Sequence, residues 1–236
     1  MFWWREEVRP GVTVAFSDVG AGNLALHVAD DPGEVLARRT RLETAAGLGG
    51  RHFQFMDQVH GSAVAFIPAR DAGLPAGAAP TADAMVSMTQ PLAVMVADCV
   101  PVVLVGEAGE GESVLGVVHA GRPGVAADIV SAAVVGMRQR GADTIRAWLG
   151  PSICGGCYEV PPELRAEVAA LVPETWSTTS WGSAALDLPA GVRAQLKALD
   201  VVIEYSGPCT LETQQLFSYR RNQQTGRFAG LVWTHE

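Results

Sequence analysis

The stretch PLAVMVADCVPVVLVG, residues 91–106, decides the fold of this chain. It is the longest apolar stretch, but Asp98 and Pro101 interrupt it, so it indicates two buried strands rather than one membrane span. Both halves are runs of Val, Ala, Leu and Met without polar alternation, which is typical of strands buried on both faces. We therefore predict a layered α/β fold with sheets inside and helices outside.

Strand-like and helix-like segments alternate along the rest of the chain. We predict strands at residues 12–16, 24–28, 53–56, 63–67, 85–88, 92–97, 102–105, 114–118, 145–149, 201–205 and 228–233. Helices are predicted at residues 34–47, 125–140, 161–171 and 189–199. Residues 68–80 are rich in Ala, Gly and Pro and are predicted to form a loop. No linker separates domains, and we expect one domain over residues 1–236.

Three of the apolar segments end in a soft metal ligand. FQFMDQVHG carries His60 at its end, LAVMVADC ends in Cys99, and VLGVVHAG carries His119. A structural zinc site normally takes four protein ligands, whereas a catalytic site takes three and leaves a position open. We therefore predict that these three residues bind one metal ion with room for water or substrate.

Composition excludes several classes of partner. The net charge of −8 argues against a nucleic-acid surface, because neutralising phosphates requires clustered Lys and Arg. The first residues, MFWWREEVRP, lack the apolar core of a signal peptide. Four cysteines without an export signal indicate free thiols in a reducing compartment. We expect a cytoplasmic protein that binds neither nucleic acid nor membrane.

Several longer phrases occur in the order that is typical of one protein family. They are QVHG (58–61), ADCVPV (97–102), VVHAG (117–121), GPSICGGCYEV (150–160) and CTLETQQLFSYRR with TGR (209–227). Weaker matches lie at NLALHVADD (23–31), Arg41 and DAMVS (83–87). Together they resemble the YfiH family, also called laccase-domain or polyphenol-oxidase-like proteins and described as purine nucleoside phosphorylases.

The resemblance implies a four-layer α/β/β/α sandwich, usually monomeric. It implies a metal site of His60, Cys99 and His119 that holds zinc, with copper as a possible substitute. The implied reaction is phosphorolysis of adenosine, inosine, guanosine and S-methyl-5′-thioadenosine, with adenosine deamination as a second activity. The expected partners are thus a purine nucleoside and phosphate.

The remaining candidate site residues are acids and anion-binding side chains. We predict catalytic roles for the three metal ligands and for Asp98, although Asp98 could instead orient the backbone, because neighbouring strand residues face opposite sides. Asp83 is a second acidic candidate, with a turn residue as the alternative. Phosphate or substrate binding is predicted for Arg41, Arg122, Arg220, Arg221, Arg227 and Asn23, since guanidinium groups bind phosphate in a forked geometry. The alternative for the arginines is a solvated basic face.

One phrase departs from the family pattern. Where the family usually reads HAGWRG, this chain reads HAGRPG, so Arg122 takes the Trp position and Pro123 takes the Arg position. The ring that could stack on a base is absent, and Pro123 has no N–H to offer an anion. We expect Arg122 to reach the anion or the base instead.

The sequence leaves two alternatives to a phosphorylase open. A cysteine hydrolase or amidase that edits peptidoglycan precursors would use Cys99 as nucleophile and His119 or His60 as base. A polyphenol oxidase with a single copper ion would use the same two histidines and cysteine. The five histidines of the chain are too few for a multicopper laccase.

A second pair of cysteines lies in the phrase CGGC. Cys154 and Cys157 have the spacing of half a zinc knuckle or of a redox pair. No second CxxC is present in the sequence, so we interpret them as reduced structural thiols.

Overall fold

The computed structural model describes residues 1–70, 78–109 and 111–235. Two β-sheets dominate it. The first has the order β1-β2-β12-β5 and is antiparallel throughout. Its strands are β1 (Phe2–Arg9), β2 (Val12–Ser17), β5 (Leu92–Val96) and β12 (Phe228–Thr234).

The second sheet has six strands in the order β11-β8-β6-β7-β4-β3. Its strands are β3 (Val64–Ile67), β4 (Ala84–Ser87), β6 (Val100–Ala108), β7 (Glu112–Ala120), β8 (Thr144–Leu149) and β11 (Val202–Ser206). The edge pairs β11–β8 and β3–β4 are parallel, and the inner pairs are antiparallel. A small hairpin of β9 (Trp176–Thr178) and β10 (Ala184–Leu186) stands apart from both sheets.

The two sheets pack face to face through a shared apolar interior. Phe16 and Val94 of the first sheet meet Val103 and Val117 of the second. Leu104, which neighbours Val103 on β6, faces the opposite side and packs beneath helices. Both faces of β6 are therefore buried, as its continuous apolar sequence predicts.

Helices cover the outer face of each sheet. The helix α1 (Pro32–Ala46) packs on the first sheet, where Leu42 contacts the cluster that contains Trp233. The other helices are α2 (Arg122–Ala126), α3 (Ile129–Arg138), α4 (Pro162–Leu171) and α5 (Leu188–Ala198). They pack on the second sheet through side chains such as Met137 and Leu196. The layers are thus α/β/β/α, which confirms the predicted fold class.

Local sequence explains where most helices begin and end. The side chain of Asp31 accepts the Glu34 N–H at the start of α1, and Gly47 ends the helix in the left-handed conformation at φ 78°. The single helix predicted at residues 125–140 is instead two, α2 and α3. Asp128 separates them with φ 57°, a conformation that cannot continue a right-handed helix.

Two predicted strands are wrong. Residues 24–28 form a turn, because the Asn23 side chain bonds both the N–H and the C=O of Ala25 in place of a strand partner. Residues 53–56 make only one isolated bridge, Gln54 to Leu92. Two elements were not predicted from the sequence: the edge strand β1, which acidic residues conceal, and the β9–β10 hairpin.

Part of the predicted loop, residues 71–77, lies outside the described residues. None of the helices in the described segments combines the length and the apolar character needed to cross a bilayer.

The chain passes from the first sheet to the second within three residues, 97–99. β5 ends at Val96 in the first sheet, and β6 begins at Val100 in the second. Asp98 makes this crossing with φ 91°, a value that non-glycine residues rarely adopt. The crossing places Cys99 at the boundary between the two sheets.

Candidate metal centre

The structure brings the three predicted ligands together. The side-chain ligand atoms of His60, Cys99 and His119 all lie within 4.8 Å of one another. Cys99 Sγ lies 3.8 Å from His60 Nε2, and the two imidazole rings meet edge to face with their centroids 4.6 Å apart. His60 precedes β3, Cys99 lies in the crossing, and His119 lies near the end of β7.

A buried carboxylate holds two of these ligands in place. Asp83 Oδ1 lies 2.8 Å from His119 Nδ1, and the same carboxylate accepts the N–H groups of His60 at 2.9 Å and Gly61 at 2.6 Å. Burial alone would raise the pKa of Asp83, but its bonds to His119 and Gly61 lower it below the ordinary value. With Nδ1 engaged by a carboxylate, Nε2 of His119 is left for a metal ion. Asp83 is therefore a positioning residue for the ligands.

Cys99 and His119 set each other's charge. Burial alone would raise the pKa of the Cys99 thiol, but the charge and hydrogen bonds of His119 and His60 lower it to about 6. Burial likewise acts to lower the pKa of His119, but Cys99 and Asp83 raise it to about 9. Without a metal ion, the pair is thiolate and imidazolium at neutral pH.

The donor set and its spacing fit a zinc or copper ion. Two imidazole nitrogens and one thiolate suit either metal. Ligands about 2.0–2.3 Å from a tetrahedral ion lie about 3.3–3.8 Å from one another, close to the separation seen here. No fourth His, Cys, Asp or Glu of the described residues joins this group, so it would supply three ligands and leave a fourth position for water or substrate.

The backbone at Gly121 is part of the centre. A Cβ at this position would lie 2.7 Å from His60 Cδ2 and 3.2 Å from Cys99 Sγ. Only glycine leaves room for both ligands, which gives a physical reason for the Gly that follows His119 by two residues.

The ligands open into a cavity of about 310 Å³, a size typical of small-molecule sites. Apolar and aromatic walls come from Met95, Val96, Ala97, Ile153, Tyr158, Leu188 and Tyr219. Basic and polar groups come from His27, Gln58, Asp98, Arg220 and Arg227. The cavity can therefore hold a molecule with one flat apolar part and one anionic part.

Asp98 lines the cavity, but its hydrogen bonds connect neighbouring loops. One carboxylate oxygen accepts the Thr210 hydroxyl at 2.6 Å, and the other accepts the Arg220 N–H at 2.7 Å. Its carbonyl accepts the Ile153 N–H at 2.9 Å. The contacts favour the backbone-orienting alternative over the catalytic role predicted for Asp98, because two loops depend on these bonds.

Two of the predicted arginines reach the cavity. The Arg220 guanidinium lies over the Tyr158 ring, 4.8 Å from its centroid. Arg227 is held by the carbonyls of Thr225 at 2.8 Å and Gly226 at 3.1 Å. Burial lowers the pKa of Arg227, although a guanidinium stays protonated at neutral pH.

Arg122 reaches the cavity indirectly. It is the first residue of α2 and is half-buried. Burial raises the pKa of Tyr158, a residue that lines the cavity, and the nearby charge of Arg122 opposes that rise. Arg122 thus acts on the cavity wall through Tyr158, while Pro123 occupies the next helical position.

Arg221 has a structural role in place of the predicted anion-binding role. Its guanidinium is engaged by backbone carbonyls of the C-terminal loop. They belong to Thr210 at 2.8 Å, Leu211 at 3.1 Å, Thr213 at 3.3 Å and Leu216. These bonds hold the loop that carries Arg220, so Arg221 has little capacity left for an anion.

Asn23 and Arg41 also lie away from the cavity. Besides its bonds to Ala25, Asn23 accepts the Arg227 N–H at 3.0 Å, so it positions an arginine rather than a substrate. Arg41 is exposed on α1. The inward-facing arginine of this helix is Arg39, which donates to the Leu24 carbonyl at 2.7 and 2.9 Å.

Four polar residues of the cavity were not predicted from the sequence, although all lie inside the quoted phrases. They are His27, Gln58, Tyr158 and Tyr219. Gln58 pairs with the backbone of Met95 in both directions, at 2.7 and 2.9 Å, and so ties the His60 loop to β5. Burial, followed by the charge of Arg227, lowers the pKa of His27, so this imidazole is neutral at neutral pH. Their position within the phrases was the only signal available.

Fold and site together define a four-layer α/β/β/α protein in which two histidines and a cysteine, a group able to hold a metal ion, lie where the two sheets meet. The chain belongs to the family described as multi-copper polyphenol oxidoreductase laccase, whose profile matches residues 10–235.

Named relatives and solved structures agree with this assignment. A purine nucleoside phosphorylase of Streptomyces griseus is 48% identical over 93% of this chain and 89% of its own length. One of Mycobacterium bovis is 42% identical over 89% of this chain and 84% of its own length. The crystal structure of a Bacillus licheniformis YfiH protein has a TM-score of 0.81 at 27% identity, covering 95% of this chain and 93% of that one. The crystal structure of a Neisseria meningitidis DUF152 protein has a TM-score of 0.81 at 28% identity, covering 100% of this chain and 99% of that one. The resemblance to the YfiH family is thereby confirmed.

Proposed function

We propose that this protein is a zinc-dependent purine nucleoside phosphorylase. It would convert a purine nucleoside and phosphate into the free base and ribose 1-phosphate. One observation carries the proposal: an open three-ligand metal site, two arginines and two tyrosines converge on a single cavity. The names of the relatives support the same activity.

The basic side of the cavity suits phosphate. Arg220 and Arg227 offer guanidinium groups that bind phosphate oxygens with two parallel N–H bonds. The backbone of each arginine is anchored. The Arg220 backbone N–H donates to the Asp98 carboxylate, and the Arg227 backbone N–H donates to the Asn23 side chain. Anchoring reduces the entropy lost when the anion binds.

The aromatic side suits the purine. Tyr158 and Tyr219 face the cavity beside Ile153 and Leu188, so a flat base can pack against rings and aliphatic groups. Burial raises the pKa of Tyr158, which keeps its hydroxyl protonated. That hydroxyl can donate to the purine nitrogen that gains charge as the bond to ribose breaks.

In the reaction, the bond between the purine nitrogen and C1′ breaks and its electron pair leaves with the base. A phosphate oxygen forms the new bond to C1′. His60, Cys99 and His119, which line the cavity, would hold the metal ion, and the ion would supply a Lewis acid when bound. Asp83 keeps the two histidines oriented, and the arginines keep phosphate in place.

The direct test is nucleoside turnover with and without phosphate. We expect adenosine, inosine, guanosine and S-methyl-5′-thioadenosine to yield free base and sugar phosphate only when phosphate is present. Adenosine should also give some inosine in a phosphate-independent reaction. Equal base release without phosphate would contradict phosphorolysis, and the exposed Arg41→Ala variant serves as a matched control.

A cysteine hydrolase is the second candidate, and one observation favours it. Cys99, His119 and Asp83 form a chain of nucleophile, base and orienting carboxylate, and the pKa of Cys99 is about 6. Its substrate would be an amide such as a peptidoglycan precursor. A nucleophilic Cys99 must be free of metal during turnover, so inactivation of the fully metal-loaded enzyme by iodoacetamide would favour this alternative. Protection by the metal would favour the phosphorylase.

A further inference from the structure

A second group of metal-binding side chains lies outside the cavity. It consists of Cys154, Cys157, Cys209 and Glu212, here called the thiol cluster. Their ligand atoms all lie within 4.8 Å of one another. All three cysteines are free, and Cys157 is buried. The CGGC phrase supplies two of the thiols, and the third comes from a distant part of the sequence.

The backbone presents these thiols in an ordered arrangement. The N–H groups of Cys157 and Tyr158 both donate to the Cys154 carbonyl at 3.0 Å, which closes CGGC into a tight turn. The Cys154 N–H donates to Cys209 Sγ at 3.4 Å. Ser152 pairs with Cys209 in a parallel bridge, which fixes the second loop beside the first.

We propose that the thiol cluster binds a second zinc ion with a structural role. Three thiolates and one carboxylate complete a tetrahedral shell, and sites with four protein ligands are structural rather than catalytic. Soft thiolates select zinc over magnesium or calcium. On binding, each thiol releases its proton to solvent, and three sulfur–zinc bonds and one oxygen–zinc bond form. The Cys154 N–H directed at Cys209 Sγ offsets part of the added negative charge.

Such an ion would join two loops that form the cavity wall. The first loop carries Tyr158, directly after Cys157. The second carries Cys209, then Tyr219 and Arg220. Zinc in the thiol cluster would hold these walls together without touching the substrate.

The test is zinc content measured on wild type and matched variants. The full-length protein is expressed in zinc-supplemented medium and purified without chelator. Wild type should contain two zinc ions per chain, Cys99→Ala should keep one, and Cys209→Ser should keep one. The ion that Cys99→Ala retains should disappear in the double variant.

Cobalt substitution and resistance to a chelator identify which residues hold the metal. Cobalt bound to the Cys99→Ala protein should give an intense thiolate charge-transfer band, because the three sulfurs of the thiol cluster remain. Adding Cys209→Ser to the same protein should weaken this band. Glu212→Gln keeps the thiols and changes only an exposed side chain, so it should fold and lose zinc from this site at least about tenfold more readily to a chelator.

Two results would overturn the proposal. One is a Cys99→Ala protein that folds but holds no zinc. The other is a denatured wild type with two reactive thiols in place of four, which would show a disulfide within the cluster. None of these measurements depends on nucleoside turnover, so the second zinc site and the phosphorylase stand or fall separately.

Discussion

Asp83 Oδ1 lies 2.8 Å from His119 Nδ1, and the carboxylate that makes this contact also accepts the backbone N–H of His60. One buried acid thus fixes the ring of one metal ligand and the backbone of another. Cys99 follows β5 and His119 lies on β7, whereas His60 lies in a loop before β3, and this carboxylate fixes both histidines.

The Asp83→Asn variant should bind metal more weakly. The amide removes the charge that holds His119 and directs an N–H₂ group toward backbone donors, so we expect affinity to fall about 10–100-fold. Competition against a chromophoric chelator measures this directly. Asp143→Asn, a change at an exposed acid, is the control and should match wild type. Equal affinities for the two variants would show that Asp83 does not position the ligands.

Metal affinity should rise with pH between about 6 and 9. In the metal-free protein the Cys99 thiol has a pKa of about 6, and His119 has a pKa of about 9. A metal ion needs thiolate and neutral imidazole, so at neutral pH only His119 of this pair must lose a proton. Apparent affinity should therefore increase about tenfold per pH unit in this window and level off above it. Calorimetry in buffers of different ionisation enthalpy counts the released proton, and a flat profile would contradict the thiolate–imidazolium pair.

The Gly121→Ala variant should lose metal while it keeps its fold. The added methyl group would lie 2.7 Å from His60 Cδ2, and His60 is exposed enough to swing away from the centre. Gly136→Ala is the control, because its Cβ meets ordinary contacts no closer than 3.6 Å and alanine is favoured in helices. Zinc content and thermal unfolding of both variants separate displacement of a ligand from general damage.

Arg220→Ala and Arg221→Ala should have different effects. Arg220 faces the cavity, so its loss should raise the Michaelis constant for phosphate more than that for nucleoside, by the equivalent of about 1.5–3 kcal/mol. Arg221 is engaged by loop carbonyls, so its loss should lower thermal stability and weaken both substrates alike. Steady-state kinetics with each substrate varied and melting curves measure both effects. Equal changes in the two Michaelis constants and in the melting temperature for Arg220→Ala and Arg221→Ala would contradict these roles.

The fold was predictable wherever a strand was buried on both faces. The continuous apolar runs of β5 and β6 indicate such strands without any knowledge of their partners. Residues 24–28 have the same apolar character but form a turn, because the Asn23 side chain binds the local backbone. β1 was missed for the opposite reason, since an edge strand tolerates the acidic residues that a buried strand excludes.

The sequence predicted that His60, Cys99 and His119 lie together, but not which arginines face the cavity. These three residues stand out in the sequence because polar, metal-binding side chains are rare directly after apolar segments. A guanidinium carries no such signal, since whether it faces an anion or a carbonyl depends on loop geometry. Arg220 and Arg221 are adjacent in sequence, yet Arg220 faces the cavity and Arg221 bonds the carbonyls of the loop. Cys209 was likewise invisible as a partner of Cys154 until the two loops were seen side by side.

The short crossing at residues 97–99 has a mechanical consequence. Because Cys99 lies between the strand that ends in one sheet and the strand that begins in the other, its position depends on how the two sheets are stacked. A smaller side chain in the shared interior, such as Val103→Ala, would let the sheets settle closer and move the sulfur away from both imidazoles. The volume of the apolar side chains between the sheets therefore sets the distance from the Cys99 sulfur to the two imidazoles, although these side chains lie far from any substrate.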